Sequence, residues 1–179
     1  LLRSSSLHGF HIPGVPDRLI TTLFADDTTV YLAESDDFHT LQQILDLWCI
    51  AAKAKFNVHK TEIIPIGNPE YRTELITSRK IHPTALPFPS NTHIAKDGEA
   101  IRILGGWIGN HVEPTTQWPM VIEKIQAALT RWNKSHPSLK GRRLIVQMIV
   151  GGMTQFLTTV QGMPKHIEKS LISIIRKFI

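Results

Sequence analysis

A single cysteine, Cys49, occurs among the 179 residues. No internal disulfide is open to the chain and a cysteine-based zinc site is excluded, which points to a reducing, intracellular setting, nuclear or cytoplasmic. Long apolar runs are lacking too. The most apolar stretches, 144–153 and 171–179, are broken by Gln147 and by Arg176 with Lys177. Both fall well short of the ~20 apolar residues of a membrane span, so no transmembrane helix and no membrane partner is expected. The nine histidines follow no metal-ligand spacing and read as surface or loop residues. There is no internal repeat or low-complexity tract. The first methionine is Met120, far behind Leu1, so the chain reads as a fragment in which a signal peptide cannot be assessed.

What is present is ordinary globular material. Hydrophobic residues make up 42% and charged residues 20%, which excludes disorder and collagen-like or mucin-like character for the whole chain. At ~150 residues per domain, the length suits one domain or one domain with a smaller appendage. Charge is unevenly divided: residues 1–117 hold 10 Lys and Arg against 13 Asp and Glu, and residues 118–179 hold 10 against 2. Two explanations stand side by side. Either the basic third meets a polyanion while the rest holds cations or a reaction centre, or it is a solvated helical surface.

The pattern along the chain predicts an α+β fold. Leu1 to Arg3 read as the last turn of a helix, followed by turn residues around Gly9, Pro13, Gly14 and Pro16. Two β-prone runs, 19–24 and 28–32, flank Asp26 and Asp27 and predict a buried hairpin with the two carboxylates at its tip. Ser35 is the expected N-cap of the next helix, with Asp36 and Asp37 near its positive end. Phe38, Leu41, Leu45, Trp48, Ala52 and Phe56 recur at spacings of 3 or 4. That stripe predicts a helix laid on a sheet, with Trp48 in the core. Residues 61–66 are β-prone. Five of the eleven prolines crowd into 65–89, which argues against an uninterrupted helix or central strand and predicts a long loop or an insertion. The Asp97-Gly98 pair between β-prone runs predicts a second hairpin. Helical stripes then follow: Ile122, Ile125, Leu129 and Trp132; a segment at 144–150; and, after Pro164, Ile167, Leu171, Ile174 and Phe178.

Two adjacent carboxylates at a hairpin tip repel each other, and a divalent cation removes that cost. Carboxylate oxygens suit Mg²⁺, which binds through one or two carboxylates plus substrate phosphates. An Asp-Asp turn alone is weak evidence, because Asp is a favoured turn residue. Its surroundings are more specific. The run Leu23-Phe24-Ala25-Asp26-Asp27-Thr28-Thr29-Val30-Tyr31-Leu32 resembles the catalytic hairpin of reverse transcriptases, in the Phe-Ala-Asp-Asp form of non-LTR (LINE-like) retrotransposons. Asn57-Val58-His59-Lys60-Thr61, ahead of Glu62 to Ile64, is similar to that family's Asn-x-x-Lys-Thr segment. Ile103-Leu104-Gly105-Gly106-Trp107-Ile108-Gly109 looks like its Leu-Gly primer grip, with Trp107 read as packing. The stripe from Ile122 to Trp132 and the run Leu139-Lys140-Gly141-Arg142 resemble its helical thumb.

The resemblance covers nearly the whole chain in the family's order. It implies an antiparallel palm sheet made of the catalytic hairpin with its helix and a primer-grip hairpin, over residues 1–112, followed by the start of a helical thumb over 113–179. It also implies two-metal nucleotidyl transfer onto a primer 3′-hydroxyl, with two Mg²⁺ ions in the complete enzyme. Asp26 is then the principal metal ligand and Asp27 its partner. Lys60 is either an electrostatic partner or general acid for the leaving group, or an exposed lysine after a helix. Gly105 and Gly106 let the backbone approach the primer, or form an ordinary turn. Lys140, Arg142 and Arg143, with Lys124, Arg131 and Lys134, are candidates to track template and primer phosphates. The implied partners are an RNA template, a DNA primer and deoxynucleoside triphosphates. The family's third carboxylate and its Gln-Gly-Asp-Pro type pocket segment have no counterpart in these residues, so the missing N-terminal half of the polymerase is a further expected partner and the isolated chain is expected to be inactive. The alternative is a non-catalytic remnant or a weak, sequence-independent nucleic-acid-binding module.

Overall fold

The computed structural model describes residues 1–113 and 115–179. They form an α+β protein of two compact units, Leu1–Lys96 and Asp97–Ile179. The hairpin carrying Gly105 and Gly106 belongs to the second unit, with the helices.

The first unit opens with a 3-10 turn, Leu2–Ser4. Strands β1 (Thr21–Phe24) and β2 (Asp27–Val30) pair antiparallel in the register Thr21↔Val30 to Phe24↔Asp27. Helix α1 spans Phe38–Ala52. Its N-cap is Asp37 rather than Ser35: the Asp37 carboxylate accepts the N–H groups of His39 at 3.2 Å and Thr40 at 3.1 Å. The helix stops a turn short of Phe56, where Lys53 takes the left-handed conformation at φ 51°. Trp48 is 42% exposed and lies 5.3 Å, ring to ring, from Phe56, so it is no core residue. Only Leu41 of α1 is fully buried, joining Leu7 and Ile20 with Val30, Leu32 and Phe38 around them.

The proline-rich stretch contains a helix, α2 (Pro69–Ser78). Asn68 caps it through the Tyr71 N–H at 2.8 Å, and Pro69 occupies the first turn, where a missing N–H costs nothing. Pro69 sits at the helix start and the other prolines lie outside it, so the stretch holds a ten-residue helix where a long loop or an insertion was expected. Leu75 packs with Ile81, Ala85, Phe88 and Ile94. Arg79 holds the returning chain by donating to the carbonyls of Phe88, Pro89 and Thr92. Strands β3 (Glu62–Ile63) and β4 (His93–Ile94) pair in parallel.

In the second unit, β5 (Ile101–Ile103) and β6 (Gly106–Ile108) form the second hairpin. Its turn is Leu104-Gly105, both at positive φ, 50° and 85°. Asp97-Gly98 is not that turn; the Gly98 N–H instead donates to the Asn110 carbonyl at 2.7 Å, at the hairpin's open end. The strands therefore pair two by two, and one pair is parallel, instead of joining in one antiparallel sheet. With only 2–4 residues each, they depend on packing against helices for stability.

Helix α3 spans Trp118–Asn133, α4 Leu139–Val146, α5 Gly152–Gln161 and α6 Lys165–Phe178. A π-helical turn, Gln147–Gly151, joins α4 to α5. The continuous helix Leu139–Gln161 has 23 residues and is long and apolar enough to cross a membrane; reading 144–153 by itself missed this. Most of it is exposed, Leu144, Met148 and Phe156 among its apolar residues, and one face packs inward. Its Ile145, Val150 and Leu157 join Trp118, Ile125, Leu129, Ile167, Leu171 and Phe178 in one apolar cluster. Trp118, wholly buried, takes the place that the stripe had given to Trp132, which is 42% exposed.

Candidate functional site

The β1–β2 hairpin turns through two residues, Ala25 and Asp26, because Phe24 and Asp27 pair directly. Ala25 adopts φ 52°, the left-handed value that primed turns require of their first central residue; for alanine it costs ~1–2 kcal/mol. Asp26 thus stands at the tip and Asp27 opens β2. Both carboxylates are exposed and neither forms an ion pair among the described residues. The hairpin's end is in water, not buried as expected: Leu23 is 67% and Phe24 65% exposed.

Two adjacent, uncommitted carboxylates fit the partial ligand set that Mg²⁺ takes, with waters and phosphate oxygens completing it. Among the described residues no group of three or more His, Cys, Asp or Glu side chains could hold a metal. Lys60 ends a 3-10 turn, Val58–Lys60, and its side chain is exposed. The turn is set by Asn57, whose carbonyl accepts from the Lys60 N–H at 3.0 Å and from the Thr61 hydroxyl at 3.2 Å. Asp26, Asp27 and Lys60 share the first unit, and no ion pair joins Lys60 to either carboxylate.

In the second unit Gly105 and Gly106 are packing residues. A Cβ on Gly105 would lie 3.0 Å from the Phe156 ring, and one on Gly106 would lie 3.0 Å from Val160 Cγ1. The absent side chains let the hairpin lie on α5. Trp107 packs against the helical core as expected, and its carbonyl accepts from Gln161 Nε2 at 2.9 Å.

The basic residues 140, 142 and 143 sit in α4 behind the N-cap Ser138, which accepts the Gly141 N–H at 3.3 Å. Lys140 and Arg143 are exposed. Arg142 is half-buried: its guanidinium donates to the Phe178 carbonyl at the end of α6 and lies 5.0 Å from the centre of the Phe178 ring. A cation there satisfies an orphan carbonyl at the negative end of α6. Arg142 thus ties α4 to the end of α6.

One strongly constrained carboxylate lies outside the predicted set. Asp36, whose side chain is 1% exposed, accepts the backbone N–H groups of His8 at 2.6 Å, Gly9 at 2.9 Å and Ala33 at 2.8 Å. Burial pushes its pKa up, but these three donors and the His8 ring together hold it below the ordinary 3.8. Its partners His8 and Gly9 lie more than 25 residues away in sequence, so no local pattern reveals it.

No protein-family model, no curated protein and no solved structure matches this chain.

Proposed function

We propose that the chain supplies the C-terminal part of the palm and the start of the thumb of an RNA-directed DNA polymerase of the non-LTR retrotransposon kind. One observation carries this proposal: a two-residue turn presents Asp26 and Asp27 side by side, unpaired and exposed, within Phe-Ala-Asp-Asp. Bound Mg²⁺ would lower the pKa of the attacking 3′-hydroxyl and neutralise charge on the departing pyrophosphate. Asp26 and Asp27 provide hard oxygen ligands that confine that charge to the end of a ribbon. Lys60 offers a solvated ammonium to the pyrophosphate, as electrostatic partner or general acid. Lys140 and Arg143, exposed near the start of α4, contact phosphates of the template and primer. The third carboxylate and the nucleotide pocket come from the N-terminal half of the polymerase, so incorporation requires that partner.

The hairpin assignment is tested with Mn²⁺ in place of Mg²⁺ on the isotopically labelled chain. Paramagnetic broadening is expected to start at the amides of residues 24–28 and to be lost in Asp26→Asn. Broadening centred elsewhere, or unchanged by the substitution, refutes it.

A second reading, a sequence-independent nucleic-acid-binding module without catalysis, is favoured by the charge of the second unit. Asp97–Ile179 holds 11 Lys and Arg against 5 Asp and Glu. On that reading, affinity for an RNA–DNA hybrid falls steeply with salt, and Asp26→Asn leaves both that affinity and primer extension by the completed polymerase unchanged.

A further inference from the structure

A two-stranded ribbon is marginal alone in water, so what aims Asp26 and Asp27 must act at the ribbon's root. Three segments meet there. The chain before β1 runs through His8 and Gly9 to Phe10, which bridges Leu19 through two hydrogen bonds of 2.9 Å. The chain after β2 runs through Tyr31, whose N–H donates to the Ile20 carbonyl at 2.9 Å, to Ala33. Helix α1 begins just beyond, behind its cap Asp37. One carboxylate binds the first two from a position next to the cap of the third. Asp36 Oδ1 takes the His8 N–H and faces His8 Nδ1 at 3.0 Å, and Oδ2 takes the N–H groups of Gly9 and Ala33.

The successive N–H groups of His8 and Gly9 aimed at one anion form a small anion-binding concavity. Gly9 is needed to make it, for at φ +62° a Cβ would come within 2.5 Å of the Leu19 carbonyl oxygen. The concavity is filled by the chain's own carboxylate. Each donor lies outside the helices and ladders, so without Asp36 three N–H groups at the hairpin's root lose their acceptor. The tip lies four residues up the ribbon, about 13 Å away at 3.3 Å per residue, so small rotations at the root become ångström displacements at the carboxylates.

We infer that Asp36 is the positioning residue for the Asp26–Asp27 tip: a buried carboxylate clasp that fixes both roots of the hairpin against the start of α1. This rests on the reading of Asp26 and Asp27 as metal ligands. Asp36 itself touches no reacting group.

The test uses the full chain and two variants, Asp36→Asn and, as control, Asp37→Asn. Asparagine caps a helix as well as aspartate does, whereas at 36 its NH₂ would face backbone donors. Amide hydrogen exchange and Mn²⁺ broadening at the tip are both read. In Asp36→Asn, exchange within Thr21–Phe24 and Asp27–Val30 should quicken about tenfold or more while the helices of Asp97–Ile179 keep their protection. The Mn²⁺ concentration needed for half-broadening at the tip should rise several-fold, and Asp37→Asn should change neither. Unchanged hairpin exchange in Asp36→Asn overturns the clasp. A tip that never responds to Mn²⁺, in wild type or variant, defeats the metal reading, and exchange alone then judges the clasp. If Asp36→Asn does not fold, the wild type decides: the His8, Gly9 and Ala33 amides should be protected and open together with those of β1 and β2 as denaturant is raised. Free exchange at those three amides would overturn the inference.

Discussion

Arg142→Gln tests the fold role of the guanidinium against the proposed phosphate contact at the start of α4. In the fold, the Arg142 guanidinium donates to the Phe178 carbonyl and covers the Phe178 ring at 5.0 Å. A hydrogen bond from a charged group contributes ~1.5–3 kcal/mol and a partly exposed cation–π contact ~0.5–1. Because Arg142 is only half-buried, the lower ends apply, and the loss is about 2 kcal/mol. Glutamine keeps helix propensity, so the loss is confined to the contact with α6. For a unit of this size 1 kcal/mol corresponds to ~4–8 °C, so the melting temperature should fall by about 8–15 °C. Tryptophan fluorescence reports it, since Trp107, Trp118 and Trp132 lie in this unit. Arg143→Gln, on an exposed side chain, should shift stability by less than ~0.5 kcal/mol. If Arg143 contacts a phosphate, it should instead reduce the salt slope of hybrid binding by ~0.7–0.9. Wild-type melting of Arg142→Gln together with hybrid binding weakened as in Arg143→Gln would refute the structural role.

Other substitutions probe the remaining elements. Gly105→Val adds strain at φ 85° and a clash with the Phe156 ring, and should destabilise the second unit by ~2 kcal/mol or more in urea melts; wild-type stability would show that the hairpin does not rest on α5. Asp37→Ala removes the cap of α1 and should cost ~0.5–2 kcal/mol, while Ser35→Ala should cost little. Asp36 titrates below the ordinary 3.8 in the folded chain. Its contribution to stability is therefore fully present above that value and is lost as pH falls through the folded pKa. Urea midpoints of the first unit should drop below about pH 4 in the wild type and less so in Asp36→Asn; equal acid sensitivity would show that other groups govern it.

Local signals made much of this fold legible. The Asp26-Asp27 hairpin is legible because two β-prone runs flank a few turn-favouring residues, although Asp27 proves to open β2, and α3 and α6 because their apolar residues recur at 3 and 4. Misreadings arose where a long-range partner decided the outcome. Ser35 and Asp37 are equally good caps by composition. What distinguishes them is Asp36, drawn into the His8–Gly9–Ala33 cluster, which leaves Asp37 to start the helix. Proline density disguised α2, since Pro69 at its first turn favours a helix that Pro69 in its middle would break. Asp97-Gly98 carries the better turn signature, but Leu104-Gly105 makes the turn because Phe156 and Val160 receive the glycine face there. Of the candidate site, the carboxylate pair was readable. The capture of Arg142 by Phe178 was not, since it joins residues 36 apart.

Asp26 is proposed as a metal ligand of the polymerase. Its most direct test is primer extension on an RNA template by the polymerase completed with its N-terminal half, comparing wild type with Asp26→Ala. Incorporation is expected to be abolished while affinity for the template–primer hybrid is kept, because the tip carboxylate is exposed and holds no structural contact. Incorporation at the wild-type rate by Asp26→Ala would contradict it.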